Sequence, residues 1–271
     1  MDRRKKVKKR PFYEIFCRAS LYIMKHHLHP TDLLKLGEEG LRKVSLENKL
    51  KLRQTTIECL LDLAQNSISQ PKAQLTEEQL LLSLAIERLE LLEKQIRILE
   101  DKIEDIFLQT DGAIILSVPG VGVVTGAELY AEMDDPSKFD HAGQLIKMAG
   151  TNPIVKQSGD RQPWHYAVSK QGRKSFRAAV FNVGRSLSIN NPEMKVKYEA
   201  LKERGKHAKQ AYIALGNRMI RLAFAMIKKQ TLYQTTHSDY TLRNQLQKKL
   251  QPKNIERFYA KFISDPDVHI A

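Results

Sequence analysis

A chain of 271 residues, 42% hydrophobic and 28% charged, has material for one or two packed cores, which excludes an intrinsically disordered tail. Its 45 Lys and Arg against 31 Asp and Glu leave a formal net charge of +14, and such an excess favours a polyanionic partner because neutralising phosphates releases condensed counterions. No uninterrupted apolar run is long enough for a bilayer span, and Cys17 and Cys59, the only cysteines and without metal-type pairing, fit a reducing compartment and read as small buried hydrophobes.

Residues 1–30 read as a basic tail and a short helical piece ending near Pro30. Lys5, Lys6, Lys8, Lys9 and Arg10 make either a solvated tail or a phosphate-binding arm. The stretch Phe12–Lys25 carries Glu14, Arg18 and Lys25, a poor signal-peptide core, so secretion is not expected. His26, His27 and His29 are ligand-type side chains without a partner pair at metal spacing, and no metal site is expected there.

Residues 31–110 read as a helical connector. Thr31 is placed to cap a first segment, punctuated by Gly37 and Gly40. A longer helix then puts Leu46, Leu50, Ile57, Leu60 and Ala64 on one stripe and stops before Pro71. A second helix opens at Thr76, with Glu77 and Glu78 well placed for the helix dipole. It carries a heptad seam of Leu82, Ala85, Leu89, Leu92, Ile96, Leu99, Ile103 and Ile106. Either the preceding helix folds back on this seam or the seam joins copies of the chain; the pattern allows both.

From residue 111 to 235 the texture changes to glycine, proline and short apolar runs. Val118-Pro119-Gly120-Val121-Gly122 precedes a helix Val123–Met133 and matches the turn of helix-hairpin-helix DNA binders. Its glycines allow a tight turn, so that amides at the next helix's start can face a phosphate. Pro153–Gln157 and Pro163–Val168 are strand-like and flank Ser158-Gly159-Asp160-Arg161, so a hairpin or loop presents Ser158. Ser169 is placed to cap a helix running toward Ile189, on which Lys170 and Lys174 share one face and Arg173 and Arg177 another. With Lys156 and Arg161, these cations suit a serine attacking a phosphodiester, because charge developing on the phosphoryl oxygens must be offset. On spacing alone, an ordinary loop serine beside a DNA-contacting helix is the favoured reading. A last long helix spans about Lys209–Lys229, and residues 236–271 read as a basic, polar tail.

Taken in order, Val118–Gly122, Asp134–Phe139, Ala149–Pro153, Gln157–Gly159 and Ser169–Gly172 resemble the C-terminal domain of transposases of the IS-one-ten/IS-eleven-eleven type, the DEDD, RNA-guided serine recombinases. Leu36–Leu41 and the heptad helix are similar to that family's connecting region, so the resemblance covers roughly residues 31–235. It implies a mainly α fold: a connector with a coiled-coil arm, then a helix-hairpin-helix-containing transposase domain with a short β-hairpin. It also implies that Ser158 is the nucleophile forming a phosphoserine link to DNA. Pro119, Gly120, Gly122, Lys156, Arg161, Lys170, Arg173, Lys174 and Arg177 are then the nucleic-acid contacts. The family's other catalytic half is an RNase-H-like domain whose four carboxylates bind divalent metal. The residues before the connector leave no room for it, with Asp2 and Glu14 their only acids, and the Thr-Asp-x-x-Asp-Ala hallmark is not found. The expectation is therefore a C-terminal part, inactive alone, with no cofactor of its own and magnesium only alongside the other domain. Expected partners are DNA, a guide RNA as a further candidate, and a second copy joined through Leu82, Leu89, Leu92, Ile96, Leu99 and Ile103, in a bacterial, nucleoid-associated, cytoplasmic setting. A non-enzymatic helix-hairpin-helix DNA or RNA binder left by a mobile element is the alternative, and an oligomerisation module a third.

Overall fold

The computed structural model describes residues 10–156, 164–235 and 241–263. The chain forms two compact units, Met1–Ile96 and Arg97–Ala271. Both are built almost entirely from helices, and among the described residues no helix is long and apolar enough to cross a membrane.

The first unit holds α1 (Arg18–His26), α2 (Pro30–Glu47), α3 (Gln54–Asn66) and the first part of α4 (Thr76–Phe107). Its small core gathers Ile23, Leu33, Leu41, Ile57 and Ala64. The cap of α2 is His29, not Thr31: the His29 Nδ1 accepts from the Thr31 N–H at 3.2 Å, with Pro30 in the first helical position. The other ring nitrogen lies 2.9 Å from the Gln70 carbonyl oxygen, so Nε2 carries the proton, and both nitrogens are spent on structure. Among the described residues no group of three or more His, Cys, Asp or Glu is arranged to hold a metal ion. The stripe expected along one helix is broken between Asn48 and Arg53, where Lys49 and Lys51 take φ of 52° and 55°. Leu50, Ile57, Leu60 and Ala64 are buried as expected, but Leu46 falls on the outer side of α2 and is 80% exposed.

Helix α4 is a single run of 32 residues, opened by Glu77 and Glu78. Its buried positions are Ile86, Glu104 and Phe107, none of them in the heptad seam. Leu92, Ile96, Leu99 and Ile106 of that seam are exposed by 49% to 61%, so among the described residues no fold-back covers them.

The second unit is assembled around α7 (Lys174–Asn190) and α9 (Ala208–Lys229). Where they cross, a Cβ on Gly184 would collide with the Tyr212 carbonyl, and one on Gly216 with the Val180 carbonyl. The two backbones therefore touch, and Phe176, Val180, Val183 and Leu187 pack beside Leu215, Met219 and Ile220 in one core. Around this pair lie a buried 3-10 segment Asp111–Ser117, α5 (Val123–Met133), α6 (Ala142–Ala149) and α8 (Pro192–Glu203). Strands β1 (Pro153–Lys156) and β2 (Trp164–Val168) form a two-stranded antiparallel sheet, with Val155 opposite His165 and Lys156 opposite Trp164.

The sequence after residue 236 reads as a tail, yet its described part folds as α10 (Leu242–Gln247) and α11 (Pro252–Phe262). Four apolar residues suffice for this: Leu246 and Phe258 are fully buried, and Leu250 and Ile255 nearly so. The buried carboxylate of Glu104 meets them, accepting from the Gln251 N–H at 2.9 Å and the Asn254 side-chain amide at 2.7 Å. Lys253 and Arg257 flank Asp105 at 3.6 and 3.4 Å, exposed pairs that add little next to the apolar burial. Phe258→Ala should therefore destabilise the second unit by about 3–5 kcal/mol, the usual cost of emptying a packed aromatic site. Denaturant unfolding read through Trp164, the chain's single tryptophan, checks this; a change under about 1 kcal/mol would make α11 a loosely attached tail after all.

Candidate nucleic-acid interface

The Pro119–Gly122 turn comes directly after the 3-10 segment Asp111–Ser117, in which Ile114, Ile115 and Leu116 are fully buried. The turn thus joins a buried 3-10 segment to a regular helix, α5. Gly120 takes φ +86°, which favours glycine, and a Cβ there would also press on the Asn190 side chain at 3.2 Å. The turn's carbonyls are held from three directions. The Asn191 side-chain amide donates to the Pro119 oxygen at 3.1 Å, the Ser186 hydroxyl to the Gly120 oxygen at 2.6 Å, and the Lys249 ammonium to the Leu116 and Val118 oxygens, both at 2.8 Å.

With its carbonyls fixed inward, the turn presents the start of α5. Gly122 is the N-cap and has no side chain to accept a bond, and the first helical bond runs from the Gly126 N–H to the Gly122 oxygen at 2.8 Å. The amides of Val123, Val124 and Thr125 precede that bond, which is the arrangement that receives an anion. They line a pocket of about 440 Å³ together with Lys248 and Lys249, but its other wall carries Glu100, Asp101 and Glu104. Two of those acids are taken up internally, Glu104 by Gln251 and Asn254 and Asp101 by the Gln251 side-chain amide at 2.7 Å. Of the three turn residues expected to meet nucleic acid, Pro119 is buried, Gly120 half-buried and Gly122 exposed.

The basic segment before α7 differs from its expected form. The helix begins at Lys174, with Arg173 as its N-cap; Ser169 instead donates its hydroxyl to the Asn152 side-chain oxygen at 2.7 Å. Lys170 lies outside the helix with φ +56°, its N–H bonded to the Gly150 oxygen at 3.0 Å, so it shares no helical face with Lys174. A Cβ on Gly172 would collide with the Met148 carbonyl, and this close approach of the chain to α6 delays the helix start. Arg173 and Arg177 spend donors in the same region. Arg173 reaches the Glu132 carbonyl at 3.4 Å and stands 3.6 Å from its carboxylate, while Arg177 donates to the Ala149 and Lys170 oxygens at 3.3 and 3.4 Å. Lys170 and Lys174 are exposed and free to meet phosphate. Lys156 closes β1; Ser158 and Arg161 lie outside the described residues.

Residues 112–199, which take in the turn, Ser158 and the basic segment, match the family model described as the IS116/IS110/IS902 transposase family. Over these residues the chain is similar to the IS116/IS110/IS902 transposases. A Streptomyces coelicolor insertion element IS110 protein of 43.6 kDa is 30% identical over 122 residues, covering 45% of this chain and 30% of the relative. The Coxiella burnetii transposase for insertion sequence element IS1111A is 28% identical over 123 residues, 44% of this chain and 33% of the relative. The Moraxella bovis pilin gene-inverting protein is 26% identical over 117 residues, 43% and 36% of the two chains. The matched part thus spans about a third of the length of these relatives.

Sequence reasoning missed Lys249, one of several lysines in a polar stretch with nothing to mark it. Burial pushes this lysine down to about 7. Folded, it holds its proton less tightly than the unfolded chain does, so the unfolded state binds more protons between about pH 7 and the ordinary lysine value of 10.5. Stability should therefore rise with pH across that window, by an amount on the order of a few kcal/mol, with the penalty complete below it. The measurement is unfolding free energy against pH for the protein and for Lys249→Met. The variant should lose this rise; equal slopes would mean that the ammonium is solvated.

Proposed function

We propose that this chain acts in DNA transposition or site-specific recombination of an insertion sequence, binding DNA through its second unit and attacking it with Ser158. The observation that carries the reading is the coincidence of the transposase-family match over residues 112–199 with a pinned glycine turn that offers free α5 amides. Amides and lysines of this kind grip the phosphate backbone and leave base edges unread, so binding is salt-sensitive and weakly sequence-specific. In the chemical step the Ser158 oxygen forms a bond to phosphorus as the bond from phosphorus to a deoxyribose oxygen breaks. The serine proton passes to solvent, and the departing oxygen takes one up. Lys170 and Lys174 offset charge building on the phosphoryl oxygens.

A serine hydroxyl is a weak nucleophile until it is activated. Among the described residues no carboxylate cluster offers a metal to do so. The resembled family supplies such carboxylates, with magnesium, from an RNase-H-like domain, and the reading is that these 271 residues bind DNA by themselves but recombine it only with that domain supplied. With the domain added in trans, magnesium and any cognate guide RNA, a covalent protein–DNA adduct should form. Ser158→Ala should abolish the adduct and leave DNA affinity within about twofold. An adduct in Ser158→Ala would remove Ser158 from the chemistry, and strand transfer by the chain alone would refute the need for a second domain. DNA binding without an adduct under every condition would favour a non-enzymatic binder.

The exposed seam of α4 gives the second part of the reading, association of copies of the chain. Leu92, Ile96 and Leu99 stand in a heptad pattern and are exposed by 49% to 61%, with Glu90, Glu93, Lys94 and Arg97 flanking them, the composition of a helix–helix seam. Sedimentation should show an oligomer that Leu92→Asp with Leu99→Asp converts to a monomer of unchanged helicity. A monomeric parent protein at micromolar concentration would rule the seam out as an interface.

A further inference from the structure

A groove of about 670 Å³ lies between α8 and α9 and shares no lining residue with the pocket at the start of α5. Residues 192–229, which make up this helix pair and its turn, hold ten Lys or Arg against three Glu, a net +7 and half of the chain's +14. Four of the cations, Lys197, Arg204, Arg218 and Arg221, line the groove. None of the four makes an ion pair or hydrogen bond through its side chain with another described residue. The acid in the lining, Glu193, sits at one end and is occupied, accepting from the Tyr233 hydroxyl at 2.8 Å and the Thr235 hydroxyl at 3.3 Å. Between the cations the floor is apolar, lined by Leu201, Leu215, Leu222 and Ala225. From Glu193 to Arg204, α8 advances about 16 Å, the axial rise of about five base pairs of B-form DNA.

We infer that the α8–α9 groove binds the sugar–phosphate backbone of a DNA strand, as a second nucleic-acid surface separate from the α5 turn. The cations take the phosphates, and the floor takes deoxyribose, whose apolar edge needs no partner. Ribose would bring its 2′-hydroxyl onto a floor of methyl groups, where an unpaired hydroxyl is costly. No base edge is reached, so the groove adds affinity and salt dependence without sequence preference. The inference rests on the DNA-binding reading above and adds where a second share of the phosphate binding lies.

The test titrates the full chain with mixed-sequence duplex DNA, and with the RNA duplex of the same sequence, over a series of NaCl concentrations. Arg218→Gln with Arg221→Gln should make the slope of log affinity against log salt shallower by about two on DNA, one unit for each phosphate no longer neutralised. Lys35→Gln with Arg88→Gln, equal in charge but in the first unit, should leave the slope unchanged. Arg218→Lys with Arg221→Lys should restore it, which a folding defect would not allow. An unchanged slope with binding retained overturns the groove alone; no binding by the parent protein at low salt overturns the DNA-binding reading as well. An equal loss in the first-unit control overturns the location. A change as large on RNA overturns the choice of DNA. Poly-glutamate titrated in parallel covers an acidic protein partner, and a groove-dependent response to it in place of DNA overturns the assignment.

Discussion

Where α7 crosses α9, no side chain separates the two backbones. Gly184 faces the Tyr212 carbonyl and Gly216 the Val180 carbonyl, each so closely that a single added methyl group would force the helices apart. The rest of the second unit is hung from this crossing. At one end of α7, Arg173 and Arg177 are tied to α5 and to the end of α6. Close by, Asn217 of α9 donates to the Thr151 oxygen at 3.2 Å, fixing the chain just before β1. At the other end Ser186 and Asn191 hold the oxygens of Gly120 and Pro119. A shift of α7 against α9 would therefore move the strand pair and the α5 turn together.

The same frame decides which cations can act on a partner. Net charge suggests a nucleic-acid binder but does not say where the binding lies, because a guanidinium or ammonium bonded to carbonyls within the protein has fewer donors left for phosphate. Arg173, Arg177 and Lys249 are of this internal kind. Lys249 is the extreme case: it is buried against the turn, its charge is disfavoured, and its two bonds to carbonyl oxygens survive loss of a proton because a neutral amine still has two N–H groups. Lys170 and Lys174, and the four cations of the α8–α9 groove, keep their charge turned outward.

The sequence made some of this legible and hid the rest for identifiable reasons. Long periodic segments read well: α4 starts at Thr76 and α9 ends at Lys229 as the apolar spacing indicates. The turn at Pro119–Gly122 is visible because its glycines are, and the match over residues 112–199 agrees with the family that its motifs suggest. Local signals misled where a long-range approach of the chain outweighed them. Ser169 has the chemistry of a cap, but the approach of Gly172 to Met148 delays the helix to Lys174. Asn191-Pro192 is a strong start signal for α8, with the Asn191 side chain accepting from the Met194 N–H at 3.0 Å, yet the polar sequence beyond it carries few apolar residues to mark a packed helix. In α11 a few apolar residues among many charges build a packed helix because Glu104, far away in sequence, receives its polar side.

Helix α4 shows why a heptad and a packed face need not coincide. In the first unit its buried residue is Ile86, one position past the seam residue Ala85. In the second unit the buried residues are Glu104 and Phe107, one past Ile103 and Ile106. Each step along an α-helix turns about 100°, so within each unit the helix packs on a face well round from the one bearing the heptad. Internal burial and the heptad are thus separate demands on the sequence. The first is met within each unit by a few residues, including a carboxylate that would be costly to bury without Asn254. The second repeats over many turns and has no counterpart among the described residues, since residues 91–100 are exposed throughout. A repeat with spacing close to 3.5 residues fits a helix that stays in register with another over its length. Apolar residues kept in that register, and left outside both cores, are the face that the proposed association of copies would cover.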